Sequence, residues 1–206
     1  MKKFKFFLDP FADIQIWLNT MASKGYRLKS VNNFIYEFEK SPEQYSYTTQ
    51  FIGANSLRCN RDYLSMLQYG DIKTFRAPIN QGNIALGKFK LRLYSKGSGK
   101  IASSFGDLNK EILIVENKGT TPEPLLTSNF DIAQQFKNIR NAYLQPIVIL
   151  LVYLLYNLYQ NISNPGILKN IVLGIAAIIV SVFLIAFAIA NHNKYQEYIT
   201  KANVME

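Results

Sequence analysis

Glu37 and Glu39 stand two residues apart in the run FIYEFEK, so on a strand both carboxylates project from one face. Two carboxylates so placed could work as general acid and base. With lysines nearby, a solvated strand face is the simpler reading, and Tyr36 and Phe38 then point the other way, into a core. His192 is the only histidine and Cys59 the only cysteine, too few for a zinc site, which needs three or four nitrogen or sulfur ligands. A Cys59–His192 nucleophilic pair would have to join distant parts of the chain, and nothing else supports it. The run Lys96-Gly-Ser-Gly-Lys100 hints at a phosphate loop, but Tyr94 occupies the place of the first glycine. Ile101 follows the lysine where Ser or Thr would hold magnesium. The sequence therefore predicts no catalytic set, no cofactor and no metal.

The clearest electrostatic feature is Lys88-Phe-Lys90-Leu-Arg92-Leu, which alternates strictly and would present three cations on one strand face. Either solvent or an anionic membrane leaflet suits that face. The formal net charge of +9 would also allow nucleic acid, but no helix-turn-helix or stacking platform is recognisable, so no direct nucleic-acid contact is expected. Lys88, Lys90 and Arg92, together with Lys137 and Arg140, are the candidate membrane-surface contacts.

Those last two cations immediately precede the first of two uncharged 20-residue stretches, 142–161 and 171–190. A helix of that length spans about 30 Å, the hydrocarbon thickness of a bilayer. Gly174, Ala177, Ser181 and Ala188 recur at heptad-like spacing in the second stretch, a small-residue seam for close helix packing. The first span is the expected partner; a dimer interface is the alternative. Lys137, Arg140 and Lys194 flank the spans, so the positive-inside rule places both termini in the cytoplasm of a multi-pass protein of the cell membrane. The opening MKKFKFFLDPF has too short an apolar run for a signal peptide. One cysteine closes no intrachain disulfide, which fits a reducing compartment.

The rest of the chain must position these groups. Residues 3–8 read as a strand, and Asp9-Pro10 as a helix N-cap followed by proline at the first helical position. Ile14, Trp17, Leu18 and Met21 mark one apolar helical face, which makes Trp17 a core residue, and Gly25 ends that helix. Tyr26 to Glu39 reads as a hairpin turning at Asn32-Asn33, and Tyr45, Tyr47, Thr49 and Phe51 alternate along a further strand. A second cycle follows, with Asn60 capping a helix that Gly70 closes, then strands over 72–76, 83–94 and 111–115. The expected fold class is α+β: two β-α-β-β-like units with antiparallel sheet, followed by a two-helix transmembrane hairpin. The expected divisions are a domain at 1–128, a juxtamembrane helix at 129–143, spans at 142–161 and 171–190 around an external loop at 162–170, and a tail at 191–206.

Trp17-Leu-Asn-x-Met-Ala-x-Lys-Gly-Tyr-x-Leu28, then Tyr36, Phe38-Glu39 and Tyr45-x-Tyr47, resembles the DUF2812 family. The resemblance implies a bacterial membrane protein, mostly of Firmicutes, with no established activity and often encoded beside a PadR-type transcriptional repressor. It implies no catalytic residues. The chain departs from the family's pattern after the second helix, where Tyr69-Gly70-Asp71-Ile72 replaces a common Gly-Trp pair. The expectation is a membrane-anchored sensory or regulatory accessory whose cytoplasmic domain binds a protein or small effector. An oligomeric transport or permeability accessory is the alternative. Expected partners are the lipid bilayer, a cytoplasmic regulatory protein and a second copy of the chain.

Overall fold

The structure, a computed structural model, describes residues 1–79, 84–86, 89–91, 101–102, 111–163 and 168–205. Asp9 caps α1 (Pro10–Ser23): its Oδ1 accepts from the backbone N–H groups of Phe11 and Ala12, and proline fills the first helical position, where no N–H is needed. Gly25, at φ +78°, releases the chain from that helix. Strand β1 (Lys2–Phe4) pairs antiparallel with β3 (Ile35–Lys40), which pairs antiparallel with β2 (Tyr26–Asn32). The β2–β3 turn is Asn33-Phe34, one residue later than the sequence implied, and Asn33 takes the positive φ of 51°. Lys29 is an extra residue in β2, so the register shifts between Leu28 and Ser30.

The second unit repeats this layout. Strand β4 (Tyr45–Phe51) leads to α2 (Leu57–Tyr69), β5 (Thr74–Ala77) and finally β9 (Ile112–Lys118). The strand orders β1-β3-β2 and β4-β9-β5 are the same: first, third, second. Between β5 and β9 sit three short strands, β6 (Ile84–Leu86), β7 (Phe89–Leu91) and β8 (Ile101–Ala102), in a sheet of their own. This corrects two expectations. The stretch 83–94 is not one strand, because β6 and β7 pair with each other antiparallel. Asn60 does not cap α2; Ser56 does, accepting from Cys59 N, while Asn60 lies inside the helix and donates to Ile52 O.

The first unit's helix closes the second unit's sheet. Strand β4 lies at the end of its sheet, and α1 covers that edge with side chains. Asn19 donates to Tyr47 O at 2.9 Å and accepts from Tyr47 N at 2.8 Å; Gln15 Oε1 accepts from Thr49 N at 3.0 Å. Two polar side chains at i and i+4 on a helix thus stand in for the missing neighbouring strand. On the inner face, Tyr45, Tyr47, Phe51, Ile112 and Ile114 pack with Ile14, Leu18 and Met21 of α1 and with Leu28, Tyr36 and Phe38 of the first sheet. Trp17 is half-buried, its ring edge-on to Phe7, Tyr36 and Phe38. The outer face of the second sheet packs Ile52, Leu113 and Val115 beneath Leu67 of α2.

Burial pushes the Tyr36 hydroxyl far above the ordinary tyrosine value; it does the same at Tyr47, where the Glu116 carboxylate adds to it. Below about pH 10 both hydroxyls are protonated whether or not the chain is folded, so their contribution to stability is fully present. Above that pH only the unfolded chain ionises, and stability is lost as pH rises toward the folded values. Alkaline unfolding should therefore begin as pH passes about 10. Tyr36→Phe, which keeps the ring, should move the midpoint upward, as read by circular dichroism of the full chain in detergent.

Candidate functional site

The chain continues from β9 through a proline-bearing connector into α3 (Asn129–Ser163), then α4 (Leu168–Met205). Both are long and apolar enough to cross a membrane, and 28% of each apolar stretch is buried. A core helix of a soluble protein would be largely covered. Here Val148, Leu151, Val152 and Leu155 on α3 and Val172, Ile175, Ile178 and Val182 on α4 lie open, a patch far larger than a soluble surface tolerates. The exposed apolar faces point to membrane association.

Gly174, Ala177, Ser181 and Ala188 are all buried on α4, and Leu184 and Asn191 continue the same heptad line, while α3 and α4 form the most extensive pairing of elements in the fold. A Cβ on Gly174 would lie 3.3 Å from Asn157 Oδ1 of α3, an atom already accepting from Asn161 Nδ2 at 2.9 Å. Gly174→Leu should loosen the pair by roughly 1–2 kcal/mol, since the helices can part slightly in lipid. Unfolding of the hairpin in mixed micelles would measure it.

The N-terminal domain is seated on this hairpin. Tyr143, fully buried on α3, donates to Asp9 Oδ1 at 2.7 Å, so one carboxylate both caps α1 and holds α3. Phe11 meets Tyr143 edge-on at 5.3 Å, and Phe187 of α4 lies 5.5 Å from the same ring. The domain core is continuous with the hairpin, running from Ile14, Tyr47 and Phe51 to Ile139, Ile147 and Leu184.

Beside this contact a cleft of about 250 Å³ opens between β4, the connector and the first turns of α3. Gln15, Thr49, Gln50, Glu123, Ile132 and Gln135 are among its lining residues. Thr48 Oγ1 donates to Glu123 O at 2.7 Å and Ser46 Oγ to Thr121 O at 3.0 Å, which fixes the connector as one wall. Gln135 has a buried Oε1 with no hydrogen-bond partner among the described residues. A bound donor, or rotation of that amide toward the cleft, would satisfy it.

The same stretch of α3 that lines this cleft runs on into the apolar span, and a family match covers the cleft and the beginning of that span. The family described as "Protein of unknown function (DUF2812)" matches residues 11–148. The chain belongs to the DUF2812 family. No curated protein and no solved structure matches it. The DUF2812 stretch contains the cleft, Phe11 and Tyr143, and ends on α3 before α4 begins.

Glu37 accepts from Ser30 Oγ at 3.2 Å on the outer side of β3, while Glu39 is exposed. Cys59 is exposed on α2, and His192 Nδ1 lies 3.1 Å from Arg140 Nη1. Lys88, Arg92 and the 96–100 run lie outside the described residues, and only the backbone of Lys90 is described, in β7. Lys137 and Arg140 stand on α3, each 5.8 Å from the Tyr195 ring of α4. The Asp9–Tyr143 bond, the cleft and the pairing of half-buried Arg27 with buried Glu116 are not foreseen by the sequence. Each joins residues far apart in the chain, and only the N-cap role of Asp9 had a local signal.

Proposed function

We propose that this protein is a membrane-anchored regulatory accessory whose N-terminal domain, facing the cytoplasm, binds an effector in the cleft between β4 and α3. One observation carries the reading: α3 supplies a wall of the cleft and continues as a single helix into the first apolar span. An effector that holds the connector and α3 differently from the empty state would shift the hairpin by its difference in affinity for the two arrangements. The mixed lining, with Gln15, Thr49 and Glu123 beside Leu126, Ile132 and Phe136, and the unpartnered Gln135 oxygen suit a small amphiphilic molecule or short peptide segment that carries hydrogen-bond donors. The resemblance-derived link to a PadR-type repressor supplies the candidate protein partner. The transport reading has less support, because the stretches 142–161 and 171–190 hold no Asp, Glu, Lys or Arg to line an ion path.

The test is cross-linking in cells from a photoreactive residue at position 126, which lines the cleft, with position 61 on the exposed face of α2 as control. The expected result is one dominant adduct from membrane-extracted protein, lost when Ile132→Trp fills the cleft. The same adduct from both positions, or none, would overturn the reading. Capture of the neighbouring gene's product specifically from position 126 would establish the repressor arm.

A further inference from the structure

The upper end of the hairpin carries a second feature, separate from the cleft and independent of the effector reading. Arg140 of α3 and His192 of α4 meet at 3.1 Å. Leu144, one turn below Arg140, and Ile189, one turn below His192, begin the exposed apolar faces. Between the helices at this level lies a groove of about 220 Å³, walled by Leu144, Ile147, Ile185 and Ile189 and closed at the top by Arg140 and His192. Its lining is almost wholly apolar below those two polar groups.

The cations at the top form a cluster. Lys137 and Arg140 flank the Tyr195 ring, and Lys194 lies 5.2 Å from the Phe136 ring. Among the described residues no carboxylate pairs with any of the three. Arg140 Nε and Nη2 donate to Asn141 Oδ1, leaving Nη1 toward His192. The nearby acidic groups are engaged elsewhere or remote: Glu197 pairs with Lys201, Asp9 holds Tyr143 and the first turn of α1, Asp13 of α1 faces Tyr143 and forms no ion pair with the three cations, and Asp131 sits nine residues, about 13 Å of helix, above Arg140. Three cations without counter-ions above an apolar slot, where charge gives way to apolar surface, call for a molecule that is anionic at one end and hydrocarbon at the other.

We propose that this groove seats one anionic glycerophospholipid, its phosphate on Arg140 with Lys137 and Lys194 around it, and an acyl chain between Leu144 and Ile189. A general surface attraction would need only the charges. The groove adds a place for the chain, which makes the site selective for a lipid over a free anion.

The experiment is native mass spectrometry of the full-length protein in detergent, equilibrated with equimolar phosphatidylglycerol and phosphatidylcholine. The first bound lipid should be phosphatidylglycerol by at least about five-fold, and Arg140→Gln should lower that preference by about five-fold, the effect of one basic residue near a membrane surface. Ile189→Trp, at an exposed position, should reduce retention of both lipids with helix content unchanged. Millimolar inorganic phosphate should leave the bound lipid in place. Equal retention of the two lipids, displacement by phosphate, or a dimer that seals the groove without lipid would each overturn the proposal. Should Arg140→Gln lose helix content, Lys194→Gln decides: a reduced preference supports the site and an unchanged one sinks it.

Discussion

Arg27→Met should lower the unfolding free energy of the N-terminal domain by about 3–5 kcal/mol, the cost of leaving a buried charge without its partner. Glu116 is 3% exposed, and Arg27 holds it through Nε at 3.1 Å to both oxygens and Nη2 at 2.6 Å. Tyr47 donates to Oε2 at 3.2 Å, and Lys73 is 4.0 Å away and 42% exposed, too solvated to replace the guanidinium. The effect depends on which partner is removed. Arg27 is 27% exposed and lies 4.3 Å over the Tyr45 ring, so Glu116→Gln leaves a cation that water and an aromatic face still serve. That substitution should cost about 1–2 kcal/mol, through the weakened contacts to Arg27 and Tyr47. The double substitution should cost clearly less than the sum of the two. Urea unfolding followed by Trp17, the single tryptophan, reads this domain alone. Equal single costs that simply add would refute the asymmetry.

Asp9→Ala should cost about 2–4 kcal/mol, because it removes two things at once: the cap of α1, worth about 1 kcal/mol, and a charge-assisted bond to a buried hydroxyl. Tyr143→Phe removes only the second. Hydrogen exchange separates them. The first turn of α1 should lose protection in Asp9→Ala and keep it in Tyr143→Phe, whereas residues 142–147 should lose protection in both. Asp9→Asn keeps a good capping side chain and should fall between. A Tyr143→Phe protein with unchanged exchange in α3 would mean that the aromatic packing of Phe11 and Phe187 alone holds the domain to the hairpin.

Much of the local structure was legible in the sequence. Asp9-Pro10 announces α1 because capping and the fixed φ of proline act within a few residues, and Gly25 ends it for the same kind of reason. The α+β class and the paired apolar helices follow from periodicities of 2 and 3.6 and from two uncharged runs. The failures share a cause. Asn60 resembled a cap because its type suits one, but Ser56 sits where the chain turns, and Asn60 is drawn inward by Ile52 O. The third strand of the second unit, 112–118, is displaced from its fellows by an insertion, so 111–115 reads as a strand while its place between β4 and β5 does not follow from the sequence. The Tyr143–Asp9 and Arg27–Glu116 contacts span 134 and 89 residues, and no local pattern encodes which distant side chain will arrive.

The covered edge of β4 matters beyond folding. Proteins tethered to a bilayer diffuse in two dimensions and collide with their own kind far more often than free ones do, and an open strand end is then an invitation to uncontrolled polymerisation. Asn19 and Gln15 take up the N–H and C=O of Tyr47 and the N–H of Thr49 in the middle of that strand, so crowding on the membrane leaves this border less to recruit with.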